Sequence, residues 1–451
     1  MTKQKCKPAE EPDFTIETLG EPKYDSPLTK TSMETHCSTP VFISDDERIV
    51  YDTNIESIKG FISREIDPPS MEVAGPRKKI FFNPENTRVA IVTCGGLCPG
   101  LNDVVRALFM ELYYVYDIRE VFGIRYGFRG LVPRIGPPPI EITPKVVENI
   151  HRDGGSFLGS SRGPQDVGEM VDFLERERID ILFVIGGDGT QRGSLALAGE
   201  IERRNLKIGV VGIPKTIDND IAFVERSFGF ETAVSMADKV LQAGHEEARG
   251  AFNGVAVVKL MGRDSGFIAA MAAVANGDAN FVFVPEVPFD VDGPRGFLAV
   301  LEKRLQERQH ALVVVAEGAG RDIMEKTDQE RRIDASGNVK IGDIGVYLRE
   351  RITDRFKSGW NKATVKYLDP SYVIRSAPAN ANDSIFCAQL AYNAVHAAMS
   401  GRTKMVIGLW NNLFTHVPMA TIITDRKQLD PTGAEWLGVL EATGQPASMK
   451  N

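Results

Sequence analysis

With 451 residues the chain is long enough for two or three domains, each with a buried core. A net charge of −8 excludes general affinity for polyanions such as nucleic acid, and no apolar run reaches the roughly 18 residues needed to span a membrane. Five cysteines (Cys6, Cys37, Cys94, Cys98, Cys387) are a poor disulfide framework for this length and indicate a reducing compartment; Cys94 and Cys98 read as buried or loop thiols rather than zinc ligands.

Residues 1–87 read as a partly ordered N-terminal extension. They are rich in Pro, Lys, Glu and Thr, with weak periodicity. The segment lacks the apolar core of a signal peptide, its acids argue against a transit peptide, and the terminal ASMKN is no peroxisomal address; a cytoplasmic location is the expectation.

From Arg88 the pattern changes. RVAIVTCGG (88–96) reads as a buried strand ending in glycines, and LNDVVRALFMELYYVY (101–116) as a helix. EVFGI (120–124) predicts a strand, GPPPIEI (136–142) a turn, and PKVVENIHRDGG (144–155) a helix. Strand IDILFVIGG (179–187), helix SLALAGEIERRN (194–205) and strand KIGVVGIPK (207–215) follow. Then come strand GVAVVKLMG (254–262), core helix FIAAMAAVA (267–275), strands ANFVFVPE (279–286) and HALVVVAEG (310–318), a polar loop over 322–340, and strand MVIGLW (405–410). Strands alternating with helices define an α/β protein with parallel sheets. His151, His245 and His310 lie in charged, helix-like stretches and read as solvated.

Ligands of such folds bind beyond the carboxyl ends of strands. Three glycine-rich stretches fall there: TCGGLCPGLND (93–103), GGDGTQRG (186–193) and PKTIDND (214–220). One such cluster is explained by a tight turn. Three at strand ends, with backbone N–H groups and helix N-termini, fit phosphate. Asp188, Asp218 and Asp220 oppose an anion there unless a cation intervenes, and Mg²⁺ takes one or two carboxylates plus phosphate oxygens. Asp218 and Asp220 are two apart, so an extended segment would place them on one face, one serving the metal and the other accepting a proton.

At these residues the chain resembles the 6-phosphofructokinases. GGLCPGLN, GSSRG, GGDGT, PKTIDND, MGRDSGF, AEG and YVIR occur in that family's order from Arg88 to about residue 425. The long extension and PKTIDND are most similar to the ATP-dependent plant and trypanosomatid branch. The resemblance implies two Rossmann-like parallel-sheet domains with the active site in the cleft between them. It assigns 88–230 with 376–430 to nucleotide and 231–375 with 431–451 to sugar phosphate. It also implies Mg²⁺, ATP, fructose 6-phosphate and a homotetramer, or a homodimer, with the substrate site near a subunit interface.

The same resemblance implies roles. Gly96, Arg162, Gly163, Gly187, Asp188, Gly189 and Thr190 face the donor phosphates, Arg162 bridging the transferring group. Asp188 ligates Mg²⁺ and Asp220 supports that site. Asp218 is the base toward the sugar 1-hydroxyl, and Thr216 and Ile217 on the same loop bind the sugar, Thr216 also counted with the catalytic residues. Met261, Gly262 and Arg263 close on the sugar phosphate, Arg263 also near the transferred group, and Glu317 holds sugar hydroxyls. Tyr372 and Arg375 clamp the 6-phosphate, Lys366 supplying a further charge. Bacterial members have arginine where Gly254 and Lys366 align and histidine at Tyr372. Their effector-pocket arginines are matched by Arg106 but not by Met110, so bacterial-style effector control is not expected.

Gly189 and Lys215 bear on the donor. Pyrophosphate-dependent relatives have aspartate at the first and lysine at the second, while bacterial ATP-dependent members have glycine at the second. A carboxylate at 189 would oppose the α-phosphate of ATP, whereas an added ammonium helps bind any polyphosphate, so Gly189 outweighs Lys215 and ATP is the expected donor. Pyrophosphate is the alternative. A catalytically silent regulatory subunit is the alternative of another class, and the intact Asp188, Asp218, Arg162 and Arg263 oppose it. NAD and lipid kinases share GGDGT but lack TIDND, MGR and YVIR.

Overall fold

The computed structural model describes residues 11–29, 42–327, 342–360 and 362–451. Thirteen strands make the two principal sheets: β1 Arg48–Val50, β2 Ser70–Val73, β3 Arg88–Thr93, β4 Glu120–Ile124, β5 Ile140–Glu141, β6 Ile181–Gly186, β7 Gly209–Pro214, β8 Gly254–Leu260, β9 Phe281–Phe283, β10 His310–Ala316, β11 Thr364–Leu368, β12 Met405–Trp410 and β13 Leu413–Pro418. The larger sheet has nine strands in the order β1-β2-β13-β12-β7-β6-β3-β4-β5. Its centre, β4-β3-β6-β7-β12, is parallel. β6 and β7 are buried at every residue, because helices cover both faces; hence their unbroken apolar sequence. The smaller sheet, β9-β10-β8-β11, is parallel throughout.

Alternation along β8 divides the smaller sheet's core. Ala256, Val258 and Leu260 face the cluster holding helices Phe230–Arg249 and Phe267–Asn276, whereas Val255 and Val257 face that of Phe297–Arg308 and Ile344–Arg355. The first cluster also contains Ile91, Phe183 and Val211 of the larger sheet, so one apolar core runs between the two. FIAAMAAVA is core helix, as expected. Cys94, Cys98 and Cys387 are buried free thiols; Cys6 and Cys37 lie outside the described residues.

Five expectations are corrected. The described part of the N-terminal segment belongs to the body of the fold: β2 pairs with β13, β1 with β2, and Glu17–Thr18 with Arg402–Thr403. These strands are too short to show a period, and buried ions fix them. Glu72 on β2 accepts from Arg402 Nε at 2.7 Å and from His416 Nδ1 at 2.6 Å, and Asp45 joins Arg77 and Arg402. Residues 144–155 form turns and one 3-10 turn, Ile150–Arg152, not a helix; Pro144, two β-branched valines and a Gly-Gly end leave no length for it. Helix Asp188–Arg203 starts six residues earlier than the apolar period, because Gly187 caps it and Asp188 in its first turn suits the helix dipole. His245 is buried, edge-on to His310 at 5.4 Å, because helix Phe230–Arg249 turns that face onto β8 and β10. Of the expected polar loop, Arg321–Thr327 is helical and residues 328–340 lie outside the described residues.

Candidate active site

The three glycine-rich stretches follow β3, β6 and β7, which are neighbours in the larger sheet, so they share one rim. Hydrogen bonds bind them into one surface. Gly95 N donates to Ser161 O at 3.1 Å and Ser160 Oγ to Gly95 O at 2.6 Å, tying GSSRG to the first loop. Lys215 N donates to Gly186 O at 3.0 Å, tying the third loop to the second. A Cβ on Gly96 would lie 3.2 Å from Arg162 Nη2, and one on Gly95 3.2 Å from Lys215 Nζ. The glycines therefore admit two cations against the first loop. Gly163 has φ +92°, a left-handed turn after Arg162.

Gly187 opens helix Asp188–Arg203, Thr190 is buried in its first turn, and Asp188 is half-buried. A Cβ on Gly189 would meet nothing within 4 Å, so the position has room for a side chain. Lys215 is buried and donates from Nζ to Gly96 O at 2.8 Å. Desolvation lowers its pKa, with the neighbouring Arg162 and Arg375 guanidiniums adding to the shift. A cavity of about 630 Å³ opens beside GSSRG, between Ser160, Ser161, Tyr126, Arg129 and Pro137.

The segment carrying Asp218 and Asp220 is bent, not extended. Asn219 sits at φ +57°, so period-two alternation does not bring the two acids together. Thr216 does this instead: its hydroxyl donates to Asp220 Oδ1 at 2.7 Å and accepts from Asp218 N at 3.2 Å. Ile217 is buried beneath them. Asp218 Oδ1 is buried without a hydrogen-bond partner. Burial first, then the Asp220 and Glu317 carboxylates, push the Asp218 pKa up to about 7; Arg375 and the Arg263 backbone N–H oppose this.

The loop after β8 faces that acid. Ser265 Oγ donates to Asp218 O at 3.1 Å, Met261 is buried, and Gly262 takes φ +117° where a Cβ would strike Ser265 O at 2.5 Å. Glu317 N donates to Leu260 O at 2.9 Å and Gly318 N to Gly262 O at 3.1 Å, so the loops after β8 and β10 move as one. Arg375, closing the short helix Ser371–Arg375, lies 3.9 Å from Glu317.

Two expected residues stand apart within one chain. Tyr372 is 84% exposed, and Lys366 lies on edge strand β11 with its ammonium 3.7 Å from Glu247. Gly254 is a steric requirement, since a Cβ there would sit 2.1 Å from Ala248 O and no arginine fits without moving the backbone. Sequence reasoning missed Arg426, which is ion-paired with Asp264, 3.4 Å from Asp220 and 3.6 Å from Asp188. It also missed Glu286, whose Oε1 accepts from both Gly266 N and Leu429 N at 2.9 Å. Arg426 lies in no glycine-rich or periodic stretch, and Glu286 only ends the strand-like ANFVFVPE, so nothing local marks either side chain.

Asp188 and Asp220 are hard oxygen donors, and among the described residues no group of three ligating side chains could hold a metal unaided. This donor set fits Mg²⁺, which takes few carboxylates and completes its shell with phosphate oxygens and water.

Glycine-rich loops at the ends of neighbouring parallel strands, one of them carrying a buried carboxylate and facing the loops of a second sheet, are the arrangement of an α/β phosphoryl-transfer class. The phosphofructokinase family model matches residues 88–398, and the chain belongs to that family. It is 48% identical to an ATP-dependent 6-phosphofructokinase of Borreliella burgdorferi, over 97% of this chain and 98% of that one. It is 45% identical to the Trypanosoma cruzi enzyme of the same name, over 96% and 87%. Arabidopsis thaliana ATP-dependent 6-phosphofructokinase 5, chloroplastic, is 44% identical over 83% and 68%. In fold the chain is similar to a pyrophosphate-dependent phosphofructokinase of Marinobacter aquaeolei, with TM-score 0.65 and 18% identity over 79% of this chain and 91% of that one. The phosphofructokinase of Saccharomyces cerevisiae gives TM-score 0.60 and 22% identity, over 79% and 47%.

Proposed function

We propose that the chain transfers the γ-phosphoryl group of ATP to the 1-hydroxyl of D-fructose 6-phosphate, giving fructose 1,6-bisphosphate and ADP, the committing step of glycolysis. The carrying observation is Asp218: a buried carboxylate with an unpartnered oxygen, set where the donor-side loops meet the loops of the smaller sheet. It takes the hydroxyl proton as the sugar oxygen bonds to phosphorus and the bond to the ADP oxygen breaks. Arg162 and Arg263 meet charge on the transferring group, and Thr216 fixes the loop through Asp220. Glu317 accepts from sugar hydroxyls, and Arg375 beside it pairs with the 6-phosphate. Asp188 and Asp220 would hold Mg²⁺, which neutralises donor charge when bound.

We read 88–230 with 376–430 as the donor unit and 231–375 with 431–451 as the sugar unit; the strands within 1–87 join the donor unit. Tyr372 and Lys366 face outward at the edge of the smaller sheet, which supports a second copy completing the phosphate clamp in a homotetramer or homodimer. Among the described residues no helix is long and apolar enough to cross a membrane. A cytoplasmic location is supported by three reduced, buried thiols, although the plant relative is named chloroplastic.

The pyrophosphate reading has Lys215 in its favour. Assaying the purified protein on fructose 6-phosphate with Mg-ATP and with pyrophosphate, and identifying the product by ³¹P spectroscopy, decides between them. Turnover with ATP is expected. A preference for pyrophosphate overturns the donor assignment, and inactivity with both supports the regulatory-subunit reading.

A further inference from the structure

Arg426 belongs to a strap, residues 424–430, that leaves the larger sheet and leads to helix Ala434–Thr443, which packs on Phe267–Asn276 beside the smaller sheet. The strap crosses the site. Lys427 N donates to Asp220 O at 3.0 Å, and Lys427 Nζ to Val224 O at 2.8 Å. Gln428 Nε2 donates to Asp264 O at 3.2 Å, and Leu429 N shares the Glu286 oxygen with Gly266 N. These contacts hold the strap without Arg426. Its side chain adds something different: one guanidinium paired with carboxylates on three separate loops, Asp188 after β6, Asp220 after β7 and Asp264 after β8.

We propose that Arg426 is a positioning residue for phosphoryl transfer, fixing the donor loop at Asp188, the base loop at Asp220 and the sugar loop at Asp264 relative to one another. The proposal rests on the phosphoryl-transfer reading above. A guanidinium presents five N–H donors spread over a rigid plane; an ammonium can bridge two carboxylates, as Lys259 does between Asp343 and Asp369, but its donors radiate from one nitrogen and do not fix three groups in a plane. Without the guanidinium, Asp188 and Asp220 lose their shared cation, and Asp264 loses its ion pair to both.

The test uses the full chain with Arg426→Gln, Arg426→Lys, Asp264→Asn and the double variant Arg426→Gln/Asp264→Asn. Arg426→Gln is expected to lower kcat by roughly 10–100-fold, as loss of a ligand-orienting partner does. KM for fructose 6-phosphate should change little, and the unfolding midpoint should stay within about 3 °C because the strap keeps its other bonds. Calorimetry should show Mg-AMP-PNP binding weakened by about tenfold in that variant. Arg426→Lys should restore the charge without restoring kcat. Asp264→Asn should add little in the Arg426→Gln background, since the two act through each other. The proposal is overturned by kcat and analogue affinity near wild type, by recovery of kcat with lysine, or by losses that multiply in the double variant. A wild type inactive on fructose 6-phosphate overturns the function reading instead; the analogue-binding comparison still decides the role of Arg426.

Discussion

Thr216 donates its hydroxyl to Asp220 at 2.7 Å and accepts the Asp218 N–H at 3.2 Å, so one side chain sets the separation of the two acids. Asp220 is thereby directed toward Arg426, while Asp218 keeps an unpartnered oxygen. Thr216→Val preserves shape and removes both bonds. It should lower kcat more than it raises the KM for either substrate, because it disturbs the position of the base rather than a substrate contact. A variant with wild-type kcat would show the hydroxyl to be dispensable.

Asp218→Asn should fold and bind fructose 6-phosphate, yet lose about 10²–10⁴-fold in kcat, the usual contribution of a general base. The same change removes a buried charge whose pKa is pushed up by burial, so the variant should unfold at a higher temperature than wild type above neutral pH. Steady-state kinetics beside thermal unfolding reads both effects. Near-normal turnover overturns the assignment.

Asp188→Ala should abolish Mg²⁺-dependent turnover, because the donor phosphates lose the group that holds their counter-charge. Titrating Mg²⁺ and ATP together is the check. Full recovery of rate at high concentrations of both would reduce Asp188 to a helix-capping acid, the role its place in the first turn of Asp188–Arg203 also allows.

The parallel strands were legible because burial on both faces leaves them continuously apolar, and the loops because backbone approach to phosphate demands glycine. The helix at Asp188 was hidden by its own function: Gly187 and Gly189 obscure a helical pattern that becomes apolar only from Leu195. The β12–β13 hairpin was missed although Asn411 and Asn412, at φ 48° and 62°, carry the turn chemistry that joins antiparallel strands. Arg426 was beyond reach. Its partners lie 162 to 238 positions earlier in the chain, and an arginine in TDRKQLD has no local pattern to distinguish it. The outward placement of Lys366 was equally invisible, since an edge strand reads like any other strand, and nothing local marks Tyr372, on the short helix Ser371–Arg375, as exposed.

The buried cluster at Glu72 predicts acid sensitivity. His416 is fully buried and donates to Glu72, and burial holds its pKa down at about 4, below its ordinary 6.5. Between those values the unfolded chain takes up a proton that the folded chain refuses, so stability falls as pH drops through that window. Burial raises the Glu72 pKa, but hydrogen bonds and charge from its partners, His416 first and then Arg402, outweigh it and hold the carboxyl at about 2 against an ordinary 4.5. Its contribution is complete above about pH 4.5 and is lost as pH falls toward 2. Glu72→Gln should destabilise the protein by about 2 kcal/mol at neutral pH and flatten the dependence below pH 4.5. Denaturant unfolding of both forms between pH 7 and 2 measures this; parallel curves would refute the linkage.

We propose that Gly189 and Lys215 bear on donor choice by different means. Lys215 is buried, and its ammonium is committed to Gly96 O at 2.8 Å, so it braces the first loop from beneath. A Cβ on Gly189 meets open space, so an aspartate there fits without strain; we propose that its charge opposes the α-phosphate of ATP. Like charges about 4 Å apart cost on the order of 4 kcal/mol at intermediate dielectric. Gly189→Asp should therefore raise the KM for ATP strongly while affecting pyrophosphate much less, because pyrophosphate has no α-phosphate to repel. Lys215→Gly should weaken binding of either donor, through a loosened loop as well as a lost charge, without excluding ATP. The deciding quantity is the ratio of kcat/KM for ATP and pyrophosphate in wild type and both variants. A ratio that Gly189→Asp leaves unchanged and Lys215→Gly inverts would make the buried lysine the determinant, and exclusion at position 189 would then be irrelevant to this cleft.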